Sequence, residues 1–455
     1  MRRCILFLFC SIFWCVQDLA SQDTLALTPP MGWNSWDGYG TTINEAQVKA
    51  NAQWMAEHLK SFGWQYVTVD MEWFVANPTA EGNSKTFQYS LDQNGRYTPP
   101  PNRFPSAANG AGFRPLADYI HSLGLKFGIH ILRGIPKQAV ANKLPIADSS
   151  YFAADGANSS DTCPWNFDNL GTNPAQPAAQ AYYDSIAKLY ASWGVDLIKV
   201  DCISSHPYNG DDIRMIRQAL DRAGRPIVLS LSPGPAPVEK LEEMQKYAQM
   251  WRISDDIWDI WHNDAPYPKG LGDQFDNVAR WAGKSEPGHW PDADMLPFGR
   301  LGPAPGWGEP RNTRLSHAEQ RMLMTLWVIF PSPLMLGGEL PAADAWTLSL
   351  LTNPEVIAVD QHSSGNHPAI NTDKTVVWLA QSASENAQYV AVFNRSETGG
   401  VVHYEWKELG MAGKTYELRD LWERKDLGAT SALTATLPPH GSLLYRLSPV
   451  HDAGP

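Results

Sequence analysis

The chain has 455 residues, 43% hydrophobic and 18% charged, which excludes a disordered or fibrous polymer and allows a large buried core. Domains average roughly 100–200 residues, so two or three are expected. With 36 Lys+Arg against 48 Asp+Glu, the formal charge is −12 and no basic stripe is present, which argues against a nucleic-acid partner and against docking on anionic membranes.

The N-terminus reads as a leader. Met1-Arg2-Arg3 precedes an apolar run from Cys4 to Val16, and small or polar residues follow through Ser21. This is the pattern of a secretory signal peptide over residues 1–21, too short for a comfortable membrane span. The expectation is an exported chain, periplasmic or secreted, free of the membrane after cleavage. Of five cysteines, cleavage leaves Cys163 and Cys202, and an even pair in an exported chain readily forms a disulfide.

Strands and helices then alternate. A strand is expected in the MGWNSW segment near Met31, a helix over Glu45–Phe62 ending at Gly63, and a strand over Tyr66–Asp70. Helix Pro115–Leu123 leads to strand Leu125–Ile131, and helix Ala178–Trp193 leads through Gly194 to strand Val195–Asp201. Helix Asp212–Ala223 precedes strand Ile227–Leu231, and helix Val238–Gln249 precedes strand Trp251–Ser254. Helix Asp273–Ala282, the HWPDADML segment, helix Ala318–Ile329 and apolar Pro333–Leu336 complete about eight units. Such alternation implies parallel βαβ units, and eight of them imply a (β/α)8 TIM barrel with enlarged loops over residues 22–360. An open doubly wound sheet is disfavoured because no Gly-rich phosphate loop opens a helix. Beyond Asp360 the pattern changes to short strands at Val376–Ala380, Tyr389–Phe393, Val401–Trp406, Thr415–Leu418 and Ser442–Tyr445. No helical period separates them, so residues 361–455 are expected to form a C-terminal antiparallel β-sandwich. Asn158 and Asn394 begin glycosylation sequons.

In such a barrel the chemistry sits at the C-terminal ends of the strands. Acids gather there: Asp70 with Glu72 beyond it, Asp201, the Asp255-Asp256 pair, and Asp292 with Asp294. A lone strand-end Asp is commonly a helix cap. Four such sites together point to function, because burying carboxylates without partners is costly. Lys199 lies two residues before Asp201, hence on the same strand face, where it keeps a carboxylate ionised. Arg252 precedes Asp256 by four and offers a fork of donors to a hydroxyl-rich ligand. Nineteen Trp, 16 Tyr and 15 Phe exceed what a core needs and suit clefts that stack on sugar rings, although most of them belong in the core. Paired carboxylates in a Trp-rich barrel mouth suggest glycoside hydrolysis, one attacking the anomeric centre and the other protonating the leaving oxygen. His130, His206 and His289 form no HxH or HExxH pair, so metal-dependent catalysis is not expected.

At these residues the sequence resembles glycoside hydrolase family 27, the α-galactosidase (melibiase) family, from about Thr28 to Arg446. The resemblance rests on PMGWNSW at Pro30–Trp36, on Gly194–Cys202, on Trp251-Arg252 followed by Asp256-Ile257, and on Trp290–Met295. It implies a barrel followed by a β-sandwich and retaining cleavage of α-linked galactose-type sugars from a carbohydrate substrate, without a cofactor. By motif position Asp201 resembles the nucleophile and Asp256 the acid/base, with Asp255 a near rival. Trp36, Asp70, Lys199, Arg252 and Asp294 resemble sugar-binding positions; Glu72, His130 (where the family commonly has Tyr) and Ser232 are further candidates. Cys202 resembles one half of a family disulfide, with Cys163 its partner. The two carboxyls of a retaining pair are expected about 5–5.5 Å apart.

Two departures bear on the substrate. The family's Asp-Asp pair at the second strand, which grips the 4- and 6-hydroxyls, reads Asp70-Met71 here, so a pyranose lacking the 6-hydroxymethyl, such as β-L-arabinopyranose, becomes conceivable. Ser232 stands where α-galactosidases often carry Glu and N-acetylgalactosaminidases carry Ser. Terminal α-galactose is the first expectation, with α-N-acetylgalactosamine and β-L-arabinopyranose as alternatives. A sugar-binding barrel without catalysis and a lyase using Lys199 as a Schiff base are the rivals from other classes.

Overall fold

A computed structural model describes residues 25–79, 86–302, 308–411 and 415–450. The leader expected over 1–21 lies outside the described residues. Eight parallel strands form one sheet: β1 (Met31–Asn34), β2 (Tyr66–Val69), β3 (Lys126–Leu132), β4 (Leu197–Asp201), β5 (Val228–Leu231), β6 (Met250–Arg252), β7 (Trp290–Asp292) and β8 (Leu334–Leu336). The hydrogen-bonded order runs β7-β6-β5-β4-β3-β2-β1-β8, in sequence apart from the closing strand. A parallel bridge between Leu296 and Leu336 brings the two ends together, as in the expected barrel.

The helices follow the sequence logic. Helix α1 (Glu45–His58) starts on an Asn44–Gln47 capping box, then gives way to a 3-10 turn over Lys60–Phe62 that ends at Gly63 with φ 98°. The single helix expected over 45–62 is therefore split. Helices α2 (Arg114–Ser122), α3 (Pro177–Trp193), α4 (Gly210–Arg222), α5 (Leu241–Tyr247) and α6 (Gln274–Trp281) cover the strands. Between β3 and α3 the chain makes a three-stranded antiparallel excursion, which carries Cys163 over the barrel mouth.

Helix α7 (His317–Ile329), opened by a Ser316–Glu319 capping box, is mostly buried because it packs on the barrel and on the second domain at once. That domain holds a six-stranded antiparallel sheet beginning at Ser363, one residue after the barrel's last helix (Pro354–His362), together with a separate two-stranded ribbon. It is the expected antiparallel β domain. Trp422 donates to Thr325 Oγ1 at 2.9 Å, Asn353 donates to Leu421 O at 2.9 Å, and the Arg419 fork grips Glu355, so the domains meet through ordered polar contacts as well as apolar packing. Asn394, the second sequon residue, is buried with its amide donating to Thr398 O and Pro438 O, which leaves no free amide for a glycan. Most tryptophans are core, including Trp33, Trp64, Trp73, Trp251 and Trp327.

Candidate active site

The C-terminal ends of the strands surround a cavity of about 460 Å³, the size class of a small-molecule site. Ten of the residues singled out in the sequence converge on it. Asp70, Glu72 and Trp36 come from the ends of β2 and β1, and His130 from β3; Lys199 and Asp201 come from β4, Ser232 from the end of β5, and Asp255 and Asp256 from the loop after β6, with Met71 completing the β2 wall.

Register explains the floor. His130, Lys199 and Ser230 pair as neighbours on adjacent strands, so their side chains share one level of the barrel. Asp70 is the hub of the closed end. Its carboxylate accepts from Asn34 Nδ2 at 2.7 Å and from Lys199 Nζ at 3.3 Å, and it meets His130 Nδ1 at 2.7 Å. Burial alone would raise the Asp70 pKa, but His130 and Lys199 outweigh it and hold the carboxyl far below the ordinary range. Lys199 is raised in turn: burial disfavours its ammonium, and Asp70 leads the charges that overcome this. A permanently anionic group with a fixed cation beside it is a ready acceptor and donor pair for sugar hydroxyls.

Asp201 ends β4, buried but on the cavity wall, and accepts a 3.1 Å hydrogen bond from Trp165 Nε1. The expected disulfide forms between Cys163 and Cys202 with Cα atoms 6.0 Å apart, anchoring the Trp165 segment beside the residue that follows Asp201. Across the cavity Asp256 accepts from Arg252 Nη2 at 3.1 Å, while Asp255 pairs with His206 Nε2 at 3.3 Å. The two neighbouring aspartates are therefore distinguished by their partners. Burial raises the Asp255 pKa, and His206 opposes this.

Two expected sugar contacts lie elsewhere. Arg252 and Asp294 are absent from the cavity wall; they line a small space beneath it, which shares Lys199 and Met295 with the cavity. They pair with each other at 2.7 Å, and Asp294 also accepts Ile257 N–H at 2.7 Å, so together they hold the Asp256 loop from below. Burial pushes the Asp294 pKa up and Arg252 pulls against it. Arg252 is raised; burial opposes its charge, and Asp294 and Asp256 more than compensate.

Sequence reasoning missed several wall residues: Trp165, Asn166, His206 and Tyr267. All four come from loops, where no periodicity marks them. The signal that could have found Trp165 and Asn166 is their position two and three residues after Cys163. Asp37 was also missed. It is buried under the site with Oδ2 unpartnered, and burial, with Asp294 and Asp256 nearby, raises its pKa well above the ordinary value. Glu72 is buried as well; burial, then Asp168, push its pKa up to about 8, while Asn166 Nδ2 reaches its Oε1 at 3.3 Å. Four residues around the strand ends, Glu72, Cys202, His206 and Asp294, have positive φ without being glycine. Such backbone strain concentrates where surrounding structure fixes a site. Gly234 serves the same site by its lack of a side chain, since a Cβ there would come within 2.3 Å of Ser254 O in the loop leading to Asp255.

Comparison with known proteins places this geometry. A family model described as Alpha galactosidase A matches residues 28–139 and 167–362, and one described as Alpha galactosidase C-terminal beta sandwich domain matches 372–447. The chain is similar to a family 27 β-L-arabinopyranosidase from Geobacillus stearothermophilus, at 48% identity and TM-score 0.91 over 95% of this chain and 99% of that one. A variant of that enzyme in complex with arabinose matches at 47% and TM-score 0.90 over 94% and 99% of the two chains. Among curated proteins an α-galactosidase from Cyamopsis tetragonoloba is 30% identical over 95% of this chain and 89% of its own length.

Proposed function

Because the chain belongs to glycoside hydrolase family 27, we propose that it is an exported retaining glycosidase releasing terminal β-L-arabinopyranose by double displacement, with Asp201 as nucleophile and Asp256 as acid/base. The observation that carries the sugar assignment is Met71. It lines the cavity directly beside Asp70, where a second carboxylate would be needed to grip a 6-hydroxyl. β-L-Arabinopyranose has the ring stereochemistry of α-D-galactopyranose without C6, so it keeps the hydroxyls that Asp70 and Lys199 recognise and presents only hydrogen to the methionine. The similarity to the Geobacillus arabinopyranosidase supports the same choice, which we prefer here to the galactose first expected from the sequence.

In the first step Asp201 attacks the anomeric carbon while Asp256 protonates the departing oxygen; in the second Asp256 takes a proton from water, which displaces Asp201. Trp165 donates to one carboxylate oxygen of Asp201 and so orients the other. Arg252, sealed below, donates to Asp256 at 3.1 Å and holds its carboxylate in place. The leader supports export. α-Galactoside is the second reading, favoured by the intact Asp70 hub and the curated relatives; Ser232 keeps α-N-acetylgalactosaminide in the comparison. Nitrophenyl β-L-arabinopyranoside, α-D-galactopyranoside and α-N-acetylgalactosaminide decide among them. The arabinopyranoside should give the highest kcat/KM, and a higher value on either other substrate refutes the assignment.

A further inference from the structure

Asp256 stands on a long loop, and the far end of that loop leans on the second domain. Between β6 and α6 the chain runs through residues 253–273. This stretch carries Asp255 and Asp256 and adds Tyr267 to the cavity wall. Its two limbs are tied to each other along their length. Lys269 N donates to Asp256 O at 2.9 Å, Trp258 N to Lys269 O at 2.9 Å, Leu271 N to Ile260 O at 3.0 Å and Gly272 N to Trp261 O at 2.6 Å. Asp273 adds two more ties, accepting from Asn263 N at 3.2 Å and from Gly270 N at 2.8 Å. A loop laced in this way shifts as one piece, so a displacement of Trp261 is passed on to Asp256.

The near end of the loop is pinned inside the barrel, by Ile257 N on Asp294 and by the Arg311 fork on Asp259 at 2.7 and 2.9 Å. At the far end the Trp261 ring lies flat on the ring of His440, with centroids 3.5 Å apart and planes 8° from parallel. His440 belongs to the turn between the last two strands of the second domain, where it is buried at φ 49°. A non-glycine residue keeps that backbone only where its surroundings fix it. Here Gly441 N and Asn394 Nδ2 both donate to Pro438 O, at 3.0 and 2.8 Å. The imidazole is oriented too. Its Nδ1 meets Glu319 Oε1 of α7 at 2.8 Å, and its Nε2 lies 3.2 Å from Glu397 Oε1. The other oxygen of Glu319 accepts Ser316 N at 2.7 Å in the capping box, so the carboxylate is itself held. Helix α6, which the loop enters, rests on the same domain through Phe275, edge-on to Phe393 at 5.3 Å and under Arg395 at 4.9 Å.

We infer that His440, through its stack on Trp261, is a positioning residue for Asp256, so that the second domain takes part in delivering the proton to the leaving oxygen. This rests on the reading of Asp256 as acid/base. Proton transfer requires heavy atoms within about 2.6–3.2 Å, and a misplacement of about 1 Å from a distant change can cost about 100-fold in rate. Asp201 does not share the dependence, because it ends β4 and is braced by Trp165. Loosening the loop therefore affects acid assistance and spares nucleophilic attack.

Leaving-group dependence reads this difference. kcat/KM is measured on methyl and dinitrophenyl β-L-arabinopyranoside for the wild type, His440→Ala, Trp261→Ala, the double variant and His440→Phe, with Asp256→Ala as reference. His440→Ala and Trp261→Ala should each lose about tenfold on the methyl glycoside and stay within twofold on the dinitrophenyl glycoside, whose turnover also reports that the fold is intact. The double variant should be no worse than either single one, since both remove the same contact. His440→Phe, which keeps a ring for Trp261 to stack on, should recover most of the methyl rate. Equal losses on both substrates, an unchanged methyl rate in His440→Ala, additive losses in the double variant or no recovery in His440→Phe overturns the inference. A reference Asp256→Ala without leaving-group dependence refutes the acid/base reading itself, and this inference with it.

Discussion

Met71→Asp should move specificity toward galactose. Met71 is 8% exposed, on the cavity wall, packed with Leu132 and the Cys163–Cys202 disulfide. Asp at this position gives a 6-hydroxyl a charged acceptor, and a hydrogen bond to a charged group contributes about 1.5–3 kcal/mol. A barrier change of about 1.4 kcal/mol is tenfold in rate, so galactoside kcat/KM relative to arabinopyranoside should rise between about 10- and 100-fold. The substitution also removes buried apolar contacts, at about 2–5 kcal/mol for truncating a buried Met, and sets a second carboxylate beside Asp70. Both penalties fall equally on the two substrates in one variant, so the within-variant ratio isolates the new contact while absolute rates and Tm decline. Nitrophenyl glycosides assayed below KM supply the ratio. A ratio unchanged from wild type would falsify the idea that this position reads the 6-hydroxymethyl.

Asp201→Asn should lower kcat on every glycoside by at least about 10³-fold with Tm nearly unchanged; near-normal turnover would remove Asp201 as nucleophile. Asp256→Ala should cost kcat/KM far more for a methyl than for a dinitrophenyl leaving group, since only the former needs protonation; equal losses would argue against its acid role. Glu72→Gln should stabilise at high pH. The unfolded carboxyl ionises above about 4.5 and the folded one only near about 8, so the native state binds more protons in that window and stability falls as pH rises through it. The variant should therefore melt a few degrees higher than wild type at pH 9 and at the same temperature at pH 4; a difference independent of pH contradicts this. Reducing the Cys163–Cys202 disulfide, which spans 39 residues, should cost about 4 kcal/mol by loop-closure entropy and lower kcat by releasing Trp165 from Asp201; unchanged kcat after verified reduction disproves the coupling.

The parts of this site legible in the sequence were those that strand geometry carries. Asp201 ends a run of apolar residues and Lys199 sits two before it, so their shared face followed from strand alternation alone. Asp70, directly after β2, is legible in the same way, and the Asp255-Asp256 pair by its closeness to the end of β6 at Arg252. The depth of a residue was not. Arg252 and Asp294 hold the motif positions, yet both are buried beside a small space under the cavity, where they pair with each other at 2.7 Å. Trp165, His206 and Tyr267 reach the cavity from long loops, and only tertiary contacts such as the disulfide bring them there. The second domain shows the same division. Its apolar strands around Val376 and Tyr389 were visible, whereas the exposed strand Lys425–Thr430 lies at the sheet edge with too few apolar residues to alternate.

In the proposed mechanism Asp201 and Asp256 act on one sugar from opposite sides of a gap of about 5–5.5 Å. Proton NMR of the first sugar released from nitrophenyl β-L-arabinopyranoside, recorded before mutarotation, tests it most directly. The β anomer should appear first and decay toward equilibrium. Initial release of the α anomer would mean direct attack by water, and the assignment of Asp201 as nucleophile would be wrong.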